Sequence, residues 1–175
     1  NGQIDARLAE LGIELPPANA PAGNYAPHVQ TGNMLFSSGQ IPMVDGKPGF
    51  IGRLGAELDV EEGAAAARVC ALALIAQARD ALDGDLDRVN RVVKLTGFVA
   101  ATPDFTGQPT VVNGASDLFA EVFGNAGRHA RAAVGMASLP AVIDHQKKKQ
   151  VLFDACLAHL DHVDPAVAAT SRRCV

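Results

Sequence analysis

The opening stretch NGQIDARLAELGIEL sets Ile4, Leu8 and Leu11 at helical spacing, which predicts a short lead-in helix over residues 3–12. The following PPANAPAG carries paired prolines and a glycine, so no regular element runs through it. From Tyr25 the pattern changes to YAPHVQTGNMLFSSGQIP, which reads as two extended segments meeting at Thr31-Gly32-Asn33. Gly and Asn both accommodate the positive φ of a tight hairpin. Asp45-Gly46 marks a second turn, after which FIGRLGAELD leads to a long Ala-rich stretch.

That stretch is the clearest helix in the chain. Asp59 and Glu62 form a capping-box pattern, Val69, Leu72, Ile75, Ala76 and Leu82 make an apolar stripe, and Gly84 closes the element. VNRVVKLTGFVA is rich in β-branched residues and predicts a strand with Val93, Leu95 and Val99 on one face and Lys94 and Thr96 on the other. A second helix follows from about Pro109, which suits a first-turn position; its inner face is Val112, Ala115, Phe119 and Val122, and Gly124 stands near its end. ARAAVGMASLP then returns to extended structure. The order hairpin, helix, strand, helix, strand predicts an α+β layer, a mixed sheet with two helices on one face. Its other face then has nothing of this chain left to cover it, which points to oligomerisation.

Composition narrows the classes of partner. The 175 residues, 48% hydrophobic, suit one domain with a sizeable core, and a formal charge of -4 supplies no field to gather polyanions, so nucleic acid is not favoured. Cys70, Cys156 and Cys174 are widely spaced and lack a CxxC pair, which reads as free thiols in a reducing cytoplasm. Asp5, Arg7 and Glu10 interrupt the N-terminal apolar residues, so neither a signal-peptide core nor a membrane span is expected.

Several landmarks stand in a definite order: Asn24-Tyr25, then Gly32-Asn33 leading to Ser38-Gly39-Gln40-Ile41-Pro42, then Val112-Asn113, then Arg131 to Val134 with Leu139-Pro140. Together they resemble the Rid (YjgF) family, and the fuller text VVKLTGFVAATPDF, NGASDLFAEVFG and GRHARAAVG is closest to the branch labelled endoribonuclease L-PSP. The resemblance implies a chorismate-mutase-like fold, a homotrimer with ligand clefts between subunits, and hydrolysis of reactive enamines or imines to 2-keto acids and ammonia. It implies neither a metal nor an organic cofactor. It makes Arg131 the anchor for a small-molecule carboxylate, a role suited to a planar fork of donors. Gly39 and Ser38 belong to the substrate-binding wall, Tyr25 to the cleft where amine or water is organised, and Asn113 to the supporting wall or interface.

Each of these residues also has an ordinary structural reading. Arg131 has Asp117 and Glu121 as ion-pair partners within reach in sequence, Arg128 is a nearby rival, and His129 reads as a cap or surface residue. Tyr25 is the sole tyrosine and suits a core edge; Ser37 and Ser38 lack a neighbouring base and suit a strand end. Cys70 reads as a buried small hydrophobe.

After Pro140 the resemblance stops. The family ends on a strand carrying glutamates, whereas AVIDHQKKKQVLFDACLAHLDHVDPAVAATSRRCV holds none. Residues 1–140 therefore read as the Rid-like domain and 141–175 as a divergent tail. Phe153, Cys156, Leu157, Leu160 and Val163 fit an amphipathic helix; the competing strand reading of residues 150–155 makes Asp154 a substitute carboxylate. His159, His162 and Asp164 read as a solvated helix end rather than a metal site, and Lys147 to Lys149 as a solvated loop. Three functions remain in play: the deaminase, a non-catalytic carboxylate-binding trimer, and the ribonuclease of the family label.

Overall fold

A computed structural model describes residues 2–139 and the backbone of residues 152–159. Helix α1 spans Gln3–Glu10. Strands β1 (His28–Thr31) and β2 (Met34–Ser37) form the expected hairpin, with Gly32 at φ +55°. Strands β3 (Met43–Val44) and β4 (Lys47–Pro48) make a small second ribbon around Asp45 and Gly46, both at positive φ. Then come helix α2 (Val60–Ala81), strand β5 (Val89–Ala100), helix α3 (Gln108–Phe123), strand β6 (Ala130–Met136) and strand β7 (Leu152–His159). The main sheet has the order β1-β2-β7-β5-β6, with β5 and β6 parallel and the other neighbours antiparallel.

Strand β7 corrects the amphipathic-helix reading of the tail and overlaps the competing strand reading of residues 150–155. Its residues lie between β2 and β5, pairing with both, so backbone hydrogen bonding on two sides overrides a helical spacing of apolar residues. Without it the sheet would break between β2 and β5. His162, Asp164 and Lys147 to Lys149 lie outside the described residues.

Helix α2 starts where Asp59 accepts from the Glu62 amide while Glu62 reaches back to the Asp59 amide, each of four backbone positions in that turn being otherwise short of a partner. It lies over β2 and β7, α3 lies over β5 and β6, and the two helices pack against each other. The stripe that α2 buries is Ala66, Ala67, Cys70, Ala71, Leu74, Ile75 and Ala78; Val69 and Leu72 are only half-buried. Small residues are chosen because the helices nearly touch: a Cβ on Gly114 would stand 2.0 Å from the Ala64 carbonyl oxygen. In β5 a register shift between Val92 and Lys94 changes the predicted parity, so Val92, Leu95 and Val99 are fully buried and Val93 is not. Cys70 is buried, and burial pushes its thiol pKa up.

Helix α1 closes one end of the core. Its first amides, of Gln3 and Ile4, donate to the Asp87 carboxylate at 2.7 and 2.8 Å, Leu8 is buried, and Asp5 pairs with Arg79. The sheet face away from the helices carries exposed Val29, Phe36 and Val134. Among the described residues no helix is long and apolar enough to cross a membrane.

Candidate functional site

Arg131 lies on edge strand β6, in register with the buried Leu95, and so reaches toward the flank of α3. Its Nη1 donates to Asn113 Oδ1 at 2.7 Å and to Ser116 Oγ at 3.2 Å, and its Nη2 donates to the Pro109 carbonyl at 3.3 Å. Pro109, Asn113 and Ser116 share one face of α3 through their i, i+4 and i+3 spacing. Helix α3 thus takes both Nη1 hydrogens and the Nη2 hydrogen beside them. Among the described residues, the donors left are Nε–H and the second Nη2–H, which lie side by side on one edge of the guanidinium. Two parallel donors at that spacing match the two oxygens of a carboxylate. Among the described residues no carboxylate pairs with Arg131; Glu121, an expected competitor, is held by Arg68 at 2.9 Å.

A second layer stands behind the arginine. His129 Nδ1 lies 2.6 Å from the Gly127 carbonyl and its Nε2 lies 3.1 Å from Ser116 Oγ. The ring meets Phe119 edge-on at 5.7 Å. A carbonyl only accepts, so in the neutral ring Nδ1 carries the proton and Nε2 accepts from the Ser116 hydroxyl, which in turn accepts from Arg131. Burial lowers the His129 pKa, the hydrogen bond to Gly127 opposes this, and the Arg131 charge adds to the lowering. The sequence reads His129 as a cap or surface residue and singles out nothing at Ser116; the signal available is the i, i+3 spacing of Asn113 and Ser116 facing Arg131 on β6 and His129 immediately before that strand.

Tyr25, Ser38 and Gly39 lie toward the other edge of the sheet, beside β1 and β2. Tyr25 stands three residues before β1, half-exposed, its hydroxyl accepting from the Ala22 amide at 3.1 Å. Ser38 is committed to the hairpin base: its hydroxyl donates to the Ala26 carbonyl at 2.6 Å and its amide donates to Pro27. Gln40, buried, donates from Nε2 to the Ser38 carbonyl, and Gly39 lies between them. Tyr25, Ser38 and Gly39 therefore form one group. Four strand spacings separate β1 from β6, about 19 Å. One subunit does not bring Tyr25 to Arg131. Asp154 lies on β7 opposite Thr96, in the row that continues to Ala132, whereas Arg131 shares the row of Leu95 and Ala155.

Comparison with known proteins gives this arrangement relatives. Residues 5–143 match the family model described as YjgF/chorismate mutase-like, putative endoribonuclease. Protein TCP17 of Trypanosoma cruzi is 55% identical over 141 residues, which span 80% of this chain and 88% of that one. A crystal structure of an Agrobacterium tumefaciens protein of unknown function is 47% identical with a TM-score of 0.80, covering 90% of this chain and 92% of the other. A protein from Shewanella oneidensis described as a putative endoribonuclease is 35% identical with a TM-score of 0.82, covering 90% and 99%.

Proposed function

This chain belongs to the YjgF/chorismate mutase-like family, and on that premise we propose that it hydrolyses reactive enamine or imine derivatives of amino acids to 2-keto acids and ammonia without a cofactor. The side-on edge of Arg131, which no described residue engages, is the observation that carries the reading, because such substrates and products all bear a carboxylate beside the reacting carbon.

The chemistry asks little more than orientation and charge stabilisation. An enamine first takes a proton from water at its β-carbon to become an iminium, whose carbon is electrophilic; water adds to it, one proton of the added water moves to the nitrogen, and as the C–N bond breaks the remaining hydroxyl proton passes to the departing ammonia, leaving the keto acid and ammonium. Holding the carboxylate fixes the distance and angle at which water meets the carbon. We assign the positioning of amine and water to Tyr25, the carboxylate wall to Ser38 and Gly39, and the supporting wall to Asn113. Since Tyr25 and Arg131 stand on opposite sheet edges, the reading requires that the cleft form between subunits, and a homotrimer also covers Val29, Phe36 and Val134.

Asp154, the sole acidic residue of β7, is the carboxylate this reading offers to the water. Its row differs from that of Arg131, and this favours a second reading, capture of a small carboxylate without turnover. Ammonia release from freshly generated 2-aminoacrylate separates the two. Deaminase action predicts release that falls sharply in Arg131→Ala and in Asp154→Asn; a keto acid bound without any release selects the second reading. Equal release by wild type and Arg131→Ala would remove the arginine from the account. RNA cleavage by metal-free, stringently purified protein would instead favour the endoribonuclease of the family description.

A further inference from the structure

We infer that His129, acting through Ser116, is a positioning residue for Arg131. This rests on the carboxylate-anchor reading of Arg131 and concerns what aims its free edge. Arg131 is exposed on an edge strand, and a long side chain there samples many rotamers unless its head is held. Asn113 is an exposed partner at 2.7 Å. Ser116 is half-buried, and a serine hydroxyl rotates freely unless something fixes its hydrogen.

His129 supplies that constraint. Its ring is fixed on one side by the Gly127 carbonyl and on its flank by Phe119, so the lone pair on Nε2 points at Ser116 Oγ. With its hydrogen spent on Nε2, the hydroxyl presents a lone pair to Arg131 Nη1. Hydrogen bonds thus run one way from guanidinium to serine to imidazole to backbone carbonyl. They hold the Nη1 corner from behind, on the side opposite the Nε and Nη2 donors that face a ligand. His129 touches no ligand in this arrangement; it sets the direction of the residue that does.

The test uses the full chain with 2-oxobutanoate as the probe, titrated by calorimetry at neutral pH. Loss of a hydrogen bond to a charged group makes Ser116→Ala bind about tenfold more weakly. His129→Asn loses a similar factor, Ser116→Thr keeps the hydroxyl and binds within about twofold of wild type, and the Ser116→Ala/His129→Asn double variant is no weaker than Ser116→Ala alone. Nitrogen NMR of the neutral ring shows Nδ1 protonated and Nε2 bare. Additive losses, a Thr variant as weak as Ala, or a proton on Nε2 overturn the inference. If Arg131→Ala binds as wild type does, the anchor reading itself fails. If Arg131→Ala loses binding while Ser116→Ala does not, only the positioning role fails. Should His129→Asn not fold, the Ala and Thr variants at Ser116 and the tautomer measurement decide alone.

Discussion

Gly114→Ala pits two physical effects of opposite sign against each other. By helix propensity, alanine within α3 gains about 1 kcal/mol over glycine. By packing, the added Cβ would lie 2.0 Å from the Ala64 carbonyl oxygen, 2.7 Å from its carbon and 3.0 Å from the Ala64 Cα. All three are backbone atoms, so no rotamer change relieves the contact, and α2 and α3 must separate by roughly 1 Å or more to restore ordinary contact distances. Overpacking of this kind costs about 3 kcal/mol at the upper end of its usual range, so the net loss is roughly 2 kcal/mol.

For a chain of this size that lowers Tm by roughly 4–8 °C. Urea and thermal unfolding followed by circular dichroism at one fixed protein concentration provide the assay, since the proposed trimer makes Tm depend on concentration. Because Gly114 adjoins Asn113 and precedes Ser116, the same displacement moves the surface that holds Arg131, and 2-oxobutanoate affinity falls with it. A variant as stable as wild type, or more so, refutes the reasoning, because propensity alone predicts that result.

Two further predictions concern charge. The His129 pKa is lower in the fold than in the unfolded chain, so its contribution to stability is present above an unfolded value of 6.5 and is lost as pH falls through the folded one. Tm measured from pH 7 to pH 5 therefore falls more steeply for wild type than for His129→Gln; parallel slopes contradict this. Asp87→Ala removes the carboxylate that caps the α1 amides from 83 and 84 residues away, and costs about 1 kcal/mol as N-cap losses do. Hydrogen exchange then speeds up in Ala6 to Leu8 but not in α2; unchanged exchange in α1 shows that Leu8 burial and the Asp5–Arg79 pair hold the helix unaided.

Local signals made most of the fold legible. The Asp59/Glu62 box, the Gly32 and Asp45-Gly46 turns and the β-branched run of β5 each act through neighbouring residues, so a sequence displays them directly. What stayed hidden depends on distant partners. The tail offers both a helix and a competing strand over residues 150–155, and the strand prevails because β2 and β5 leave a gap that its backbone fills, which the apolar periodicity does not record. Of the stripe expected on α2, Ile75, Ala76 and Leu82 are buried while Val69 and Leu72 are half-buried, because the helix is apolar nearly all round and the closeness of α3 decides that alanines also face inward. At the site, Arg131 was marked by its motif, but the use of its Nη1 corner by Asn113 and Ser116, and the place of His129 behind them, follow from α3 crossing β6. The separation of Tyr25 from Arg131 is a property of strand order, which the sequence does not print.

The central claim is that the free edge of Arg131 grips a carboxylate in a cleft shared between subunits. A crystal structure of the protein soaked with 2-oxobutanoate tests it most directly. The account predicts the keto-acid carboxylate lying side-on against Arg131 Nε and Nη2, with Tyr25 of a neighbouring subunit closing the same cleft. A ligand bound away from Arg131, or held within one subunit with Tyr25 remote, contradicts it.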